Sequence, residues 1–161
     1  MRVAVITGGA RRIGAAITNM LLDDGWSVII HCNRSVTQAR HLIKRGRGAI
    51  VSGDLSNDEE LFRIIEEIHD HKLVEEAGGI DLLIHNASIY NTEDFATVTP
   101  QELRRFTSIH LDAPFFITQG LVPKLKAKNG CVIGMVDTSW NHAWEELAHY
   151  TATKGALRQL I

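Results

Sequence analysis

The sequence predicts an α/β protein with a doubly wound parallel sheet. Two observations predict it: short apolar runs alternate with stretches of helical periodicity, and the first apolar run ends in a glycine-rich turn. Of the 161 residues, 45% are hydrophobic and 22% are charged, which is typical of an ordinary soluble globular domain. We therefore expect a single domain over residues 1–161, with right-handed crossovers and helices on both faces of the sheet.

Five apolar runs bounded by turn-forming residues are predicted to be strands, at residues 2–6, 27–32, 49–51, 81–85 and 131–136. Between them, apolar residues at helical spacing predict helices at 13–21, 36–44 and 61–68. A long helix is predicted to begin after Thr99-Pro100, to bury a stripe from Leu103 through His110 to Leu121, and to kink at Pro114. A last helix is predicted to start near Tyr150.

That last predicted helix reaches the end of the sequence at Ile161 soon after it begins. A full sheet of this type carries at least one further strand. We therefore expect the domain to be truncated within this helix, with its C-terminal part missing. We also expect the 161-residue chain to be inactive even where a longer parent is an enzyme.

Charge and cysteine content argue against several classes of protein. A net charge of -2 provides no field that attracts nucleic acid or an anionic membrane, and no apolar run is long enough to cross a bilayer. Cys32 and Cys131 both lie in predicted strands and the N-terminus enters a strand at once, so we expect a reduced, cytoplasmic protein without a leader. His142 and His149 lack the His-Glu-x-x-His spacing, so no metal site is predicted.

The turn Thr7-Gly8-Gly9-Ala10-Arg11-Arg12-Ile13-Gly14 joins the first predicted strand to the first helix. Glycine at such a turn lets backbone N–H groups and the positive helix end approach a phosphate. The spacing differs from GxGxxG, and such turns also close helices for geometric reasons alone. Within the strand–helix alternation, it predicts a Rossmann fold that binds a dinucleotide through this set of residues: Gly8, Arg11, Arg12, Ile13 and Gly14.

Polar residues follow the second predicted strand, where NAD-binding sheets usually carry an acid that holds the ribose 2′-OH. The segment here is Asn33-Arg34-Ser35. Together with Arg12 in the glycine turn, Arg34 gives two guanidinium groups that suit a 2′-phosphate, so the sequence predicts NADPH as the cofactor. An ordinary solvated loop arginine remains the alternative for Arg34.

Two later strand ends extend the predicted cofactor site. We expect Asp54 and Leu55 to abut the adenine, and Asn86, Ala87 and Ser88 to lie along the ribose and nicotinamide. Asn86 also fits the commoner task of closing a turn.

Tyr150 and Lys154 lie one helical turn apart on the same face of the last predicted helix. A nearby ammonium favours the phenolate, so we expect Lys154 to lower the pKa of the phenol from near 10 toward the range useful in acid–base catalysis. Asp137, at the end of the fifth predicted strand, is delivered to the same edge. Capping a loop is the alternative task for this carboxylate.

Four motifs in this order resemble the short-chain dehydrogenase/reductase family over essentially the whole chain. They are the Thr-Gly-x-x-x-x-Ile-Gly turn, Asp54, Asn86-Ala87 and Tyr150-x-x-x-Lys154. The resemblance implies that Tyr150 is the general acid or base and that Lys154 tunes it and binds the nicotinamide ribose. It further implies a homotetramer whose main contacts are the long helix and the last helix.

Departures from the family pattern resemble one subgroup, the pteridine reductases. Arg12 replaces a glycine, Asp137 replaces a serine, and His85 replaces an asparagine. His110 stands where the family carries a catalytic asparagine that organises a proton-relay water, and in this it resembles dihydromonapterin reductases, which also reduce dihydrofolate. The resemblance implies a set of catalytic residues, Asp137, His110, Tyr150 and Lys154, and a set of substrate-binding residues, Arg12, Ser88, Tyr90 and Asp137. His110 equally fits a satisfied core histidine.

The sequence therefore predicts an NADPH-dependent reductase of dihydropterins, with dihydromonapterin and dihydrobiopterin as substrates and dihydrofolate as a further candidate. NADPH would supply the hydride, and Tyr150 with Asp137 would deliver the proton. Two alternatives stay open: a reductase of short ketones or 3-oxoacyl thioesters, and a non-catalytic NADPH-binding fragment or sensor.

Overall fold

A computed structural model of the chain describes residues 1–141 and 144–161. Its five-stranded sheet is parallel throughout, in the order β3-β2-β1-β4-β5. The strands are β1 (Val3–Ile6), β2 (Ser27–Cys32), β3 (Gly48–Ser52), β4 (Leu82–His85) and β5 (Cys131–Gly134). The predicted doubly wound parallel sheet is confirmed, although β5 ends two residues before the predicted boundary.

Helices follow the strands and cover both faces of the sheet. They are α1 (Arg12–Asp23), α2 (Val36–Ile43), α3 (Asp58–His69), α4 (Lys72–Ala77), α5 (Pro100–Thr107), α6 (Ala113–Lys126) and α7 (Ala148–Leu160). The sequence did not predict α4, because its 6 residues are too few to display helical periodicity. In the described part of the chain, no helix combines the length and the apolar character that a membrane span requires.

Side chains of β1 alternate between two apolar cores. Val3 and Val5 face the core formed with α3 and α6, whereas Ala4 and Ile6 face the core formed with α1 and α2. All four side chains are completely buried. This central strand therefore fixes the position of the glycine turn that follows it.

The long helix predicted after Thr99 is present but irregular. Thr99 caps it by accepting a hydrogen bond from the backbone N–H of Glu102, and a π-helical turn at Ser108–Asp112 separates α5 from α6. The irregularity precedes Pro114, which lacks an N–H and whose ring would clash with a regular preceding turn. Leu103 is 44% exposed, so the buried stripe begins at Phe106 instead.

Candidate active site

The carboxyl ends of β1, β4 and β5 meet the start of α7 around a cavity of about 560 Å³. We call it the catalytic cavity because the predicted catalytic residues Asp137, Tyr150 and Lys154 line it. Ligands of open parallel sheets bind at this edge. Predicted site residues that line it are Gly8, Arg11, Arg12, Ile13, Gly14, Asn86, Ala87, Ser88, Tyr90, Asp137, Tyr150 and Lys154. Met135 and Val136 line it as well, and sequence reasoning missed them although they directly follow β5.

The glycine turn is tight enough to exclude side chains at two positions. Gly8 has a φ of +63°, and a Cβ there would lie 2.9 Å from the Cα of Ala87. A Cβ on Gly14 would overlap the carbonyl oxygen of Gly8. Glycine is required at both positions because the backbone approaches itself here, and the same lack of side chains leaves room for a phosphate at the start of α1.

Asn86 and Thr7 tie the end of β4 to this turn. The Asn86 side-chain amide donates hydrogen bonds of 3.0 Å to the carbonyl oxygens of Thr7 and Gly8. The Thr7 hydroxyl oxygen accepts 3.1 Å hydrogen bonds from the backbone N–H groups of Asn86 and Ala87. The turn-closing task for Asn86 is therefore real, and the residue still lines the catalytic cavity.

His31, which is not among the predicted site residues, braces the turn from the other side. The N–H of Gly8 donates to its Nδ1 at 3.4 Å, so Nε2 carries the proton and donates to the carbonyl of Gly53 at 3.0 Å. Burial lowers the pKa of His31, which keeps this neutral tautomer. The available signal was a histidine in an otherwise apolar strand that is buried along its whole length.

Arg12 occupies a backbone conformation that glycine normally takes. Its φ is +50°, in the left-handed region that L-residues seldom adopt, and its side chain is exposed. Strain of this kind clusters at functional sites, where another interaction outweighs it. A positive φ is the conformation expected at a position where, by the resemblance described above, the family carries glycine.

A smaller cavity of about 280 Å³ lies beyond the end of β2. It is lined by Gly8, Ala10, Arg11, Cys32, Asn33, Arg34 and Ser35. Arg11 lines both cavities and shares this one with Arg34, whereas Arg12 lines only the catalytic cavity of the two. Joint binding of a 2′-phosphate by Arg12 and Arg34 stays a prediction. Consecutive residues of a tight turn point in different directions, which the sequence alone does not reveal.

Asp54 and Leu55, predicted to abut adenine, line neither of these cavities. The Asp54 carboxylate accepts hydrogen bonds from the backbone N–H and the hydroxyl of Ser56, at 2.9 and 2.7 Å, and these lower its pKa. Leu55 is 6% exposed and packs in the core with α3 and α6. Both residues therefore shape the loop after β3, and their contact with adenine stays a prediction.

Tyr150, Asp137 and Lys154 converge on the catalytic cavity from α7 and the end of β5. The Tyr150 hydroxyl donates a 3.1 Å hydrogen bond to the Asp137 carboxylate. Lys154 Nζ donates a 2.8 Å hydrogen bond to the carbonyl of Met135 and lies 5.9 Å from the Tyr150 ring centroid. The Tyr90 ring packs edge-on against Tyr150, with centroids 5.1 Å apart.

Protonation in this group differs from the sequence expectation. Burial raises the pKa of Tyr150 well above its usual range, and its hydrogen bond to the Asp137 carboxylate raises it further. The expectation that Lys154 lowers this pKa is therefore wrong for the chain as it stands, because the ammonium is directed to a backbone carbonyl. Burial lowers the pKa of Lys154 to about 8, and a backbone hydrogen bond from Ser139 lowers that of Asp137.

His110 lies behind the cavity, in the π-helical turn, and is completely buried. The N–H of Ile89 donates to its Nε2 at 3.3 Å, and the Ser88 hydroxyl lies 2.9 Å from the same nitrogen. Nδ1 therefore carries the proton and donates to the Thr153 hydroxyl at 2.8 Å. Burial lowers the pKa of His110 to about 3, so the ring is neutral.

The neutral His110 ring therefore joins the loop after β4 to α7. Thr153 accepts its N–H and in turn donates a 2.9 Å hydrogen bond to the carbonyl of Tyr150. The structure places His110 behind the predicted catalytic residues Tyr150 and Lys154, and His110 is not among the residues that line the cavity. A direct catalytic role for His110 stays a prediction, whereas its contacts are those of a residue that positions Ser88 and Tyr150.

Among the residues that the structure describes, no group of three or more histidine, cysteine or acidic side chains is placed to hold a metal ion. His142, which entered the sequence argument, lies outside those residues.

The parallel sheet, the glycine turn and the tyrosine–lysine pair define an α/β protein of the nucleotide-binding type. A family model described as short chain dehydrogenase matches residues 2–161. The chain belongs to this family.

Proteins with different names are similar to this chain in sequence or in structure. An L-rhamnose-1-dehydrogenase from Scheffersomyces stipitis is 29% identical over 170 residues, covering 99% of this chain and 64% of that protein. The 3-oxoacyl (acyl-carrier-protein) reductase from Agrobacterium tumefaciens C58, solved with NADP bound, superimposes with a TM-score of 0.86 at 28% identity, covering 99% of this chain and 62% of that one. The FolM alternative dihydrofolate reductase 1 from Brucella canis, complexed with NADP, gives a TM-score of 0.84 at 28% identity over 98% and 64%.

The chain spans between 60% and 64% of the length of the first curated relatives that it matches.

Proposed function

We propose that this chain carries the cofactor site and the catalytic tyrosine of an NADPH-dependent reductase of dihydropterins. The single observation that carries the proposal is the hydrogen bond between the Tyr150 hydroxyl and the Asp137 carboxylate, in the cavity that the glycine turn also lines. Dihydromonapterin and dihydrobiopterin are the substrates that we favour, with dihydrofolate as a further candidate.

NADPH is favoured by the charge of the smaller cavity. Arg11 and Arg34 bring two guanidinium groups to it, Ser35 adds a hydroxyl, and no acid follows β2. Charge-assisted hydrogen bonds of this kind suit the 2′-phosphate of the cofactor. Because Gly8 and Arg11 line both cavities, one dinucleotide can extend from the smaller cavity into the catalytic one, with its pyrophosphate at the start of α1.

The fit of a pterin follows from the donors and acceptors at the cavity. When bound, NADPH supplies a hydride to the carbon of a C=N bond, and one proton must reach the nitrogen to complete the reduction to CH–NH. Tyr150 lines the cavity and its raised pKa keeps it protonated, so its hydroxyl is the proton donor that we propose. The raised pKa also makes this phenol a weaker acid than a free one, so it gives up the proton only to the strongly basic nitrogen that hydride transfer creates. The Asp137 carboxylate only accepts hydrogen bonds, which matches the N–H groups of a pterin edge.

A reductase of ketones or 3-oxoacyl thioesters is the nearest alternative, favoured by the name of the Agrobacterium neighbour. A ketone oxygen is itself an acceptor, so a carboxylate beside it is unfavourable. NADPH oxidation with dihydromonapterin, dihydrobiopterin and a panel of ketones separates the two functions. We expect saturable turnover of the dihydropterins only, and an Asp137→Ser variant should lose at least about tenfold in kcat/KM for them. Turnover of ketones alone would refute the pterin proposal.

A non-catalytic NADPH-binding fragment or sensor is the alternative from another class, favoured by the share of its relatives' length that the chain spans. Calorimetry of the 161-residue chain with NADPH, paired with the turnover assay, discriminates between them. Tight binding without turnover by both this chain and its natural full-length form would favour the sensor. Turnover by either supports the enzyme.

A homotetramer built on α5, α6 and α7 is our proposal for the assembly. Exposed aromatic rings on the α3–α6 surface support it: Phe62 is 49% and Phe115 44% exposed, and both rings pack against that of Phe116. Light scattering after size exclusion tests it, and a monomeric full-length protein would contradict it.

We also keep the cytoplasm as the proposed location, because Cys32 and Cys131 are free thiols.

A further inference from the structure

A third cavity, of about 490 Å³, adjoins the catalytic cavity, and we call it the tail pocket. It is lined by Tyr90, Thr92, Trp144, Glu145, Glu146 and Leu147. Tyr90 lines both cavities, and its ring packs against that of Tyr150. A ligand whose reacting ring lies beside Tyr150 can therefore carry a substituent past Tyr90 into the tail pocket.

The walls of the tail pocket are aromatic and exposed. Tyr90 is 62% and Trp144 54% exposed. Large aromatic side chains this exposed at the mouth of a cavity mark a binding surface, because their rings contact the carbon skeleton of a ligand while their polar atoms stay in water. The lining residues come from two segments, 90–92 and 144–147. A 2.9 Å hydrogen bond from the N–H of Glu93 to the carbonyl of Glu146 joins these segments.

The charge of the tail pocket has one sign. Glu145 and Glu146 are both exposed and line it, Thr92 adds a hydroxyl, and the lining residues just named include no lysine or arginine. Carboxylates accept strong hydrogen bonds from hydroxyl groups. They repel other carboxylates, and this repulsion weakens as salt is added.

We propose that the tail pocket binds the substituent of the ring that is reduced beside Tyr150, and that Glu145 and Glu146 select uncharged, hydroxylated substituents over anionic ones. This rests on the proposed function and deepens it. It assigns the protein to dihydropterins with a short polyhydroxylated side chain and disfavours dihydrofolate, whose tail ends in two carboxylates.

Three substrates that share one dihydropterin ring test this: 6-methyl-7,8-dihydropterin, 7,8-dihydrobiopterin and 7,8-dihydrofolate. The full natural chain is assayed for kcat/KM with each, at low salt and at 0.5 M NaCl. We expect dihydrobiopterin to exceed dihydrofolate by roughly tenfold or more at low salt, and the ratio to shrink at high salt because screening removes the repulsion. In the Glu145→Gln/Glu146→Gln variant we expect the low-salt ratio to fall about tenfold.

Glu59→Gln/Glu66→Gln is the matched control, because it makes the same change in net charge at two exposed positions of α3. It should keep the wild-type ratio. A ratio that neither salt nor the Glu145/Glu146 variant changes would overturn the inference while leaving the proposed function intact, provided that the 6-methyl compound is reduced. No turnover of any of the three dihydropterins would refute the proposed function and this inference together.

Discussion

Replacing Arg12 with glycine should stabilise the chain while weakening NADPH binding. The φ of +50° at Arg12 costs an L-residue roughly 1–2 kcal/mol, which glycine does not incur. Glycine loses about 0.5–1 kcal/mol more backbone entropy on folding. The Arg12 side chain is exposed, so little packing is lost. The net gain lies between zero and about 1.5 kcal/mol, which corresponds to at most roughly 3–6 °C in Tm for a chain of this size.

NADPH binding should move in the opposite direction. Arg12 lines the catalytic cavity at the start of α1, where we place the pyrophosphate. A hydrogen bond to a charged group contributes about 1.5–3 kcal/mol, so its loss weakens binding roughly 10- to 150-fold. Differential scanning calorimetry of the cofactor-free chain and titration calorimetry with NADPH measure the two effects separately.

Arg12→Ala is the matched control, because it removes the guanidinium and keeps a Cβ in the strained conformation. It should weaken NADPH binding as much as Arg12→Gly does but show no gain in Tm. Equal Tm values for the glycine and alanine variants would refute the strain argument. Wild-type NADPH affinity in both would refute the role of the guanidinium.

Three further predictions concern pH and the glycine turn. The free energy of unfolding should fall as pH drops from 6.5 toward 4, by up to about 1.4 kcal/mol per pH unit for each of His85 and His110, because their folded pKa values are about 4 and about 3 and the unfolded chain binds these protons first. Urea unfolding of His85→Gln should show a shallower dependence on pH, and parallel curves for variant and wild type would contradict this. Gly14→Ala should abolish measurable NADPH binding, because the added Cβ would overlap the backbone carbonyl of Gly8. Gly25→Ala, at a position open to solvent, should lose stability but keep NADPH binding, and equal binding of NADPH by both variants in titration calorimetry would refute the argument from overlap. kcat/KM should decline above about pH 8 as Lys154 loses its proton, and Lys154→Arg should flatten that decline; a wild-type profile that stays level to pH 10 would count against it.

Most of the fold was predictable because the buried strands are short apolar runs bounded by turn-forming residues, whereas the helices show apolar residues at helical spacing. The turn at Gly8 and the cap at Thr99 are local signals that the sequence displays directly. Helix α4 and the π-helical turn at Ser108–Asp112 were not predictable, because one is too short for periodicity and the other changes the hydrogen-bond pattern without changing the pattern of residues.

The candidate site was predictable wherever topology sufficed, since residues after parallel strands reach one edge whatever their side chains do. The directions in which these side chains point were not predictable from the sequence. Arg11 rather than Arg12 joins Arg34, because a left-handed residue redirects the turn. The pKa of Tyr150 depends on which neighbour its hydroxyl meets, and that neighbour is the Asp137 carboxylate. His31 acts through the backbone of a distant turn, which no local pattern records.

The brace that His31 and Asn86 form around Gly8 has a consequence for the kinetics of cofactor capture. The amide of Gly8 and the carbonyls of Thr7 and Gly8 already hold intramolecular partners before any nucleotide arrives. Little loop ordering then remains to be done on encounter, so association should be limited by diffusion and charge steering rather than by rearrangement. The Gly8 amide should accordingly exchange slowly with deuterium in the cofactor-free chain.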